Sequence, residues 1–153
     1  MRKKHTTTKH YLTYYFNGEL DKMILRLKKR MEQELDDDLY CTLNSIQINP
    51  ARSSNRTGTI DVTALRAVTL ADIKLDRERT YKRHVNLKNV IENELQKYDQ
   101  EKILLLKADL GIGCTKTEAI LEASFSFSKA RNILERIFSI FDCKIRGVFN
   151  ESY

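Results

Sequence analysis

Apolar residues recur at every third or fourth position along much of the chain. Within residues 11–39, Phe16, Leu20, Met23, Leu27, Met31 and Leu35 follow this spacing among charged stretches such as RLKKRMEQELDDD. The period places them on one face and predicts an amphipathic helix for packing or dimerisation, with its charges in solvent. Residues 44–61, NSIQINPARSSNRTGTID, hold the single proline and a cluster of Ser, Asn, Thr and Gly, which predicts a linker loop. From Thr63 to Leu110 there is neither Gly nor Pro, and Leu65, Val68, Ile73, Leu87, Val90, Ile91 and Leu95 recur among charges. One or two long helices are expected there, the first capped by Asp61 or Thr63. Its polar middle, KLDRERTYKRH, reads as a solvated face. Strand-like alternation is confined to short runs such as NSIQIN, so the class is all-α.

The C-terminal third has sharper local signals. Asp99 is placed to cap a short helix over EKILLLKADL that Gly111 and Gly113 stop. Thr115 and Glu118 match a capping box, in which each side chain accepts the other residue's amide, so a new helix starts at about Lys116. ASFS interrupts it, and Ser126 is positioned to cap a third helix over about Phe127–Phe141. A steep helix-turn-helix crossing needs small or apolar residues where the two helices meet. Ala119, Ala123, Ser124, Phe125, Ala130, Ile133 and Leu134 supply them, while Ile120 asks for extra room. The second helix then turns Ser128, Lys129, Arg131, Asn132, Glu135 and Arg136 outward. Arginine can bond guanine, asparagine adenine, and serine or lysine either bases or backbone. A three-helix packing unit with a solvated polar face would share much of this pattern.

The expected organisation is a basic segment and amphipathic helix over residues 1–43, a linker over 44–62, a central helical region over 63–98 and a helix-turn-helix unit over 99–153. Charge is distributed unevenly among these parts. Nine basic against two acidic residues give residues 1–30 a net +7, whereas residues 31–50 carry five acidic residues and no basic one. Residues 51–98 carry a net +4, and residues 99–153 are neutral, yet within them 126–146 reach a net +3. A basic chain favours a polyanion, because phosphate neutralisation releases counterions. Arg2, Lys3, Lys4 and Lys9 are weak candidates for phosphate contacts on an N-terminal tail expected to be mobile.

Other chemistries find little support. Cys41, Cys114 and Cys143 are widely spaced and read as ordinary thiols without a metal. His5, His10 and His84 are separated, and no nucleophile elbow, phosphate-binding Gly loop or zinc-protease motif occurs, so neither an enzyme nor a cofactor is expected. No run approaches the ~18–20 apolar residues of a membrane span, and no apolar signal segment follows the basic N-terminus; a cytoplasmic protein is expected.

The arrangement resembles the ArpU/RinA type of phage late transcription regulators. The resemblance rests on the basic N-terminal helix, NRTGTIDVTALRAV, the connecting NLKNVIENELQKYDQEKILLL, and AILEASFSFSKARNILERI, which is similar to region four of sigma factors. It implies a cytoplasmic activator of packaging, morphogenesis or lysis genes that binds double-stranded promoter DNA, with RNA polymerase and a second copy as further candidate partners. It also implies that Ser126 starts the recognition helix, with Ser128, Lys129, Arg131 and Asn132 facing the groove. A small terminase subunit, another helical packaging or adaptor protein, and a divergent sigma-like factor are the alternatives.

Overall fold

The computed structural model describes residues 5–33 and 62–150, which form six α-helices and, among these residues, no strand. They are α1 (Thr6–Phe16), α2 (Glu19–Glu32), α3 (Val62–Leu95), α4 (Gln100–Asp109), α5 (Lys116–Glu122) and α6 (Phe127–Asn150). The all-α class is therefore the observed one. Among the described residues no helix is long and apolar enough to cross a membrane.

Residues 11–39 do not form one helix. The chain breaks at Asn17–Gly18, where Gly18 has φ of 74° and its amide donates to the Tyr15 carbonyl at 3.1 Å, closing α1. A Cβ on Gly18 would meet nothing within 4 Å, so glycine is favoured there for its left-handed backbone and not for space. Phe16 and Leu20 keep a four-residue interval across the break, which is why periodicity does not reveal it. The helix after it ends at Glu32, and Leu35 lies outside the described residues.

The N-terminal segment is also folded from Thr6 onward, against the expectation of a mobile tail. The His5 ring stacks on Phe138 with centroids 5.9 Å apart and bonds the Asp142 carboxylate, to which the buried Thr8 hydroxyl also donates. These contacts hold the start of α1 on α6. Arg2, Lys3 and Lys4 lie outside the described residues.

The central helix α3 has 34 residues, about 50 Å at 1.5 Å per residue. Helix α2 lies antiparallel along it: Lys88 pairs with Asp21 at 2.7 Å near one end, and the Arg77 guanidinium donates to the Arg30 carbonyl at 3.0 Å near the other. The loop expected over 44–61 and the Asp61 cap lie outside the described residues; the helix itself starts at Val62.

Asp99 occupies the cap position of α4 with extended backbone but makes no side-chain cap bond. The other end of α4 closes as expected. The Gly111 amide donates to Ala108 and the Ile112 amide to Lys107, with Gly111 left-handed at φ of 78°. The final helix runs beyond the expected Phe141 to Asn150, because Ile145 and Val148 continue its buried stripe past Asp142 and Gly147 is accommodated within it.

One buried cluster draws on all six helices. Leu12 of α1, Leu20 of α2, Leu87 and Ile91 of α3, Leu105 and Leu106 of α4, Ala119 and Ile120 of α5, and Phe138 and Phe141 of α6 belong to it. Burial of this apolar surface is the main stabilising term, at roughly 25 cal/mol per Å² removed from water. Ion pairs tie the helices together around it. Lys9 of α1 and Lys116 of α5 each reach the half-buried Asp109 of α4 at 2.9 Å. Burial opposes ionisation of Asp109, but the Lys116 and Lys9 bonds outweigh it and hold its carboxyl below the ordinary range.

Candidate nucleic-acid interface

Helices α5 and α6 are positioned by three local devices. At the start of α5, the Glu118 amide donates to the Thr115 hydroxyl at 3.3 Å and the Thr115 amide donates to the Glu118 carboxylate at 2.9 Å. This reciprocal pair satisfies two amides that a helix start leaves without partners. At the end of α5, Ser124 adopts φ of 53°; its amide donates to Leu121 and the Phe125 amide to Ile120, both at 3.1 Å. This is the same paired closure that ends α4, here with serine in the left-handed position. The Ser126 hydroxyl then accepts the Lys129 amide at 3.2 Å and starts α6.

The closed turn brings small side chains inward. Ala119, Ala123 and Ala130 are buried, as are Ile120 and Leu134, while Phe125 and Ile133 pack at the margin of the core. Ile120, the residue expected to need extra room, is accommodated at 3% exposure. Helix α5 packs chiefly against α4, and the three alanines are small side chains buried around the α5–α6 turn.

The opposite side of α6 carries the residues singled out from the sequence. Ser128, Lys129, Arg131, Asn132 and Arg136 are all exposed, as is Ser126, whose hydroxyl is engaged in the cap. Lys129 lies over the Phe125 ring with its Nζ 4.8 Å from the centroid, which orients the ammonium at the turn. Among the described residues Lys129, Arg131 and Arg136 have no carboxylate partner, although Glu135 interrupts the patch. Three cations without an ion-pair partner among the described residues concentrate positive potential on two turns of one helix.

Lys102 of α4 joins this patch through tertiary packing. It shares with Lys129 and Arg136 the rim of an open cleft of about 410 Å³, floored by Ile133, Ile137 and Ile140. Lys102 has Asp99 at 3.7 Å, so its charge is partly balanced. Twenty-seven residues separate Lys102 from Lys129, and no local pattern signals that they meet. Lys9, a phosphate candidate from the sequence, is placed instead on Asp109, with its ammonium 4.8 Å from the Phe138 ring centroid.

The cysteines add no chemistry to this face. Cys114 is half-buried and Cys143 exposed, both free thiols, and Cys41 lies outside the described residues. His84 bonds the Thr80 carbonyl within its own helix at 2.8 Å. Compared with known proteins, the chain matches no family model, no curated protein and no solved structure.

Proposed function

We propose that the protein is a sequence-specific DNA-binding transcription activator that uses α5 and α6 as a helix-turn-helix, with α6 in the major groove. The observation that carries this reading is the exposed face of the first turns of α6, where Lys129, Arg131 and Arg136 have no carboxylate partner among the described residues and Asn132 and Ser128 add hydrogen-bonding capacity. Arginine and asparagine pair in bidentate fashion with guanine and adenine edges, and lysine and serine fix the phosphates. The buried Ala119, Ala123 and Ala130 around the α5–α6 turn are in keeping with it, because such a unit needs small residues where its helices meet. In this reading Lys102 neutralises a phosphate at the flank of the site.

The resemblance to ArpU/RinA-type regulators supplies the biological role: control of late phage or prophage genes, with RNA polymerase as the second partner. The α1 and α2 helices then serve as packing elements. A second copy on the remaining surface would present two recognition helices to a two-fold site.

The test is selection of duplexes from a random pool on the full-length protein, followed by titration of the enriched and a scrambled duplex over a range of salt. An enriched motif bound at least tenfold more tightly than the scrambled duplex, with log affinity falling linearly in log salt, is the expected result. No enrichment and no salt-sensitive binding would leave a helical protein-interaction module in its place.

A further inference from the structure

Phe127 is the first residue of α6 and is 66% exposed. No feature of the fold accounts for a phenyl ring in that position. Ala119, Ala123, Ala130 and Leu134 are buried, Phe125 packs at the margin of the core, and Ser126 makes the cap. Residues four apart are neighbours on a helix surface, so Phe127 stands one turn ahead of Arg131, and Ser128 one turn ahead of Asn132. An apolar ring therefore borders a patch whose other members are cationic or hydrogen-bonding.

A partner matched to this face must offer hydrogen-bonding edges, negative charge and an apolar group close together. The major groove of a duplex does so, and the apolar group it presents is the C5-methyl of thymine. Resting on the DNA-binding reading above, we propose that Phe127 reads thymine by packing its ring against that methyl group, next to the base pairs addressed by Arg131 and Asn132. The ring gives up its contact with water only on a site that carries the methyl. This converts an exposed hydrophobic residue into a determinant of specificity.

Leu121, 70% exposed on α5, provides the comparison. It lies two residues from both Ala119 and Ala123, which are buried, and so points away from the core. A protein surface docking on the pair could use either apolar residue, whereas a thymine methyl concerns Phe127 alone.

The experiment takes the enriched duplex and replaces each thymine in turn with deoxyuridine, which lacks only the methyl group. Wild type, Phe127→Ala and Leu121→Ala are titrated on every duplex, and each variant is melted. At one thymine, uracil should weaken wild-type and Leu121→Ala binding about fourfold, the equivalent of ~0.8 kcal/mol for one methyl-sized group. Phe127→Ala should bind the two forms equally at that position while melting like wild type, since its ring is exposed. Indifference of the wild type to uracil at every position, or discrimination that survives in Phe127→Ala, overturns the inference while leaving the DNA reading standing. A selection that enriches no sequence overturns both.

Discussion

Glu94 of α3, at 3% exposure, accepts a hydrogen bond from Lys144 of α6, so one buried carboxylate joins the long central helix to the C-terminal one. Tyr98 and Lys97 donate to the same group at 2.9 and 3.1 Å. Burial by itself would raise the Glu94 carboxyl above its usual 4.5, but the bonds from Lys144, Tyr98 and Lys97 outweigh it and hold the group at about 2. The Tyr98 hydroxyl is pushed upward, by burial first and then by its bond to the carboxylate.

A pH dependence follows from that depression. Because the folded carboxyl titrates below the unfolded one, its stabilisation is present above about pH 4.5 and lost as pH falls through about 2. The contribution at neutral pH is on the order of 3 kcal/mol. Glu94→Gln should therefore melt well below wild type at pH 7, and the gap should narrow steadily between pH 4.5 and 2. A gap independent of pH would place the cost in packing and not in the ionised group. Asp109 titrates in the same direction in both proteins, so the difference between them isolates Glu94.

The turn before α6 is held by a residue poorly suited to its backbone. Ser124 has φ of 53°, a region costing a residue with a Cβ roughly 1–2 kcal/mol that glycine does not incur. Ser124→Gly should raise stability by up to about 1 kcal/mol, after the added freedom of the unfolded chain is offset. Ser124→Val, branched at Cβ, should lower it. Chemical denaturation of the two variants checks both signs, and binding to an enriched duplex should survive in each.

Lys9 separates a structural from an electrostatic role. It pairs with Asp109 and is 41% exposed, so Lys9→Ala should reduce stability by no more than about 1 kcal/mol. If its ammonium serves the fold, the salt slope of DNA binding stays at the wild-type value. Loss of a phosphate contact would instead flatten it by up to about 0.9. The paired measurement of melt and salt slope assigns the residue.

The features legible from sequence were those whose chemistry is local. Thr115 with Glu118, Ser126 before α6, and the glycine that ends α4 each act within four residues, so a short window contains both donor and acceptor. The burial of Ala119, Ala123, Ala130 and Leu134 was legible because each falls on the apolar face that the helical period marks. The Asn17–Gly18 break was hidden by an unbroken apolar interval, since period reports which face is buried and not whether the backbone continues. His5 on Asp142, Lys9 on Asp109 and Lys102 beside Lys129 depend on helices meeting across 137, 100 and 27 residues of chain. Such pairings are set by tertiary packing, which no window of sequence contains.

Arg131 and Asn132 lie on the exposed side of α6, one turn after its cap, while Ala130 before them and Leu134 after them face the core. Truncating either side chain therefore opens no cavity and breaks no ion pair among the described residues. If α6 reads bases, Arg131→Ala and Asn132→Ala should each cost about 1–3 kcal/mol on the enriched duplex and relax the preference at particular base pairs. Melting temperature should stay within the scatter of wild type, because exposed substitutions of this kind change stability by about 0.5 kcal/mol or less. Lys102→Ala provides the contrast: a phosphate contact at the flank should weaken the enriched and scrambled duplexes alike and reduce the salt slope by about one unit. Titrations on both duplexes at one salt concentration, beside a melt of each variant, distinguish the two classes. Arg131→Ala and Asn132→Ala variants that keep the wild-type ratio of enriched to scrambled affinity would show that the face is cationic without reading sequence.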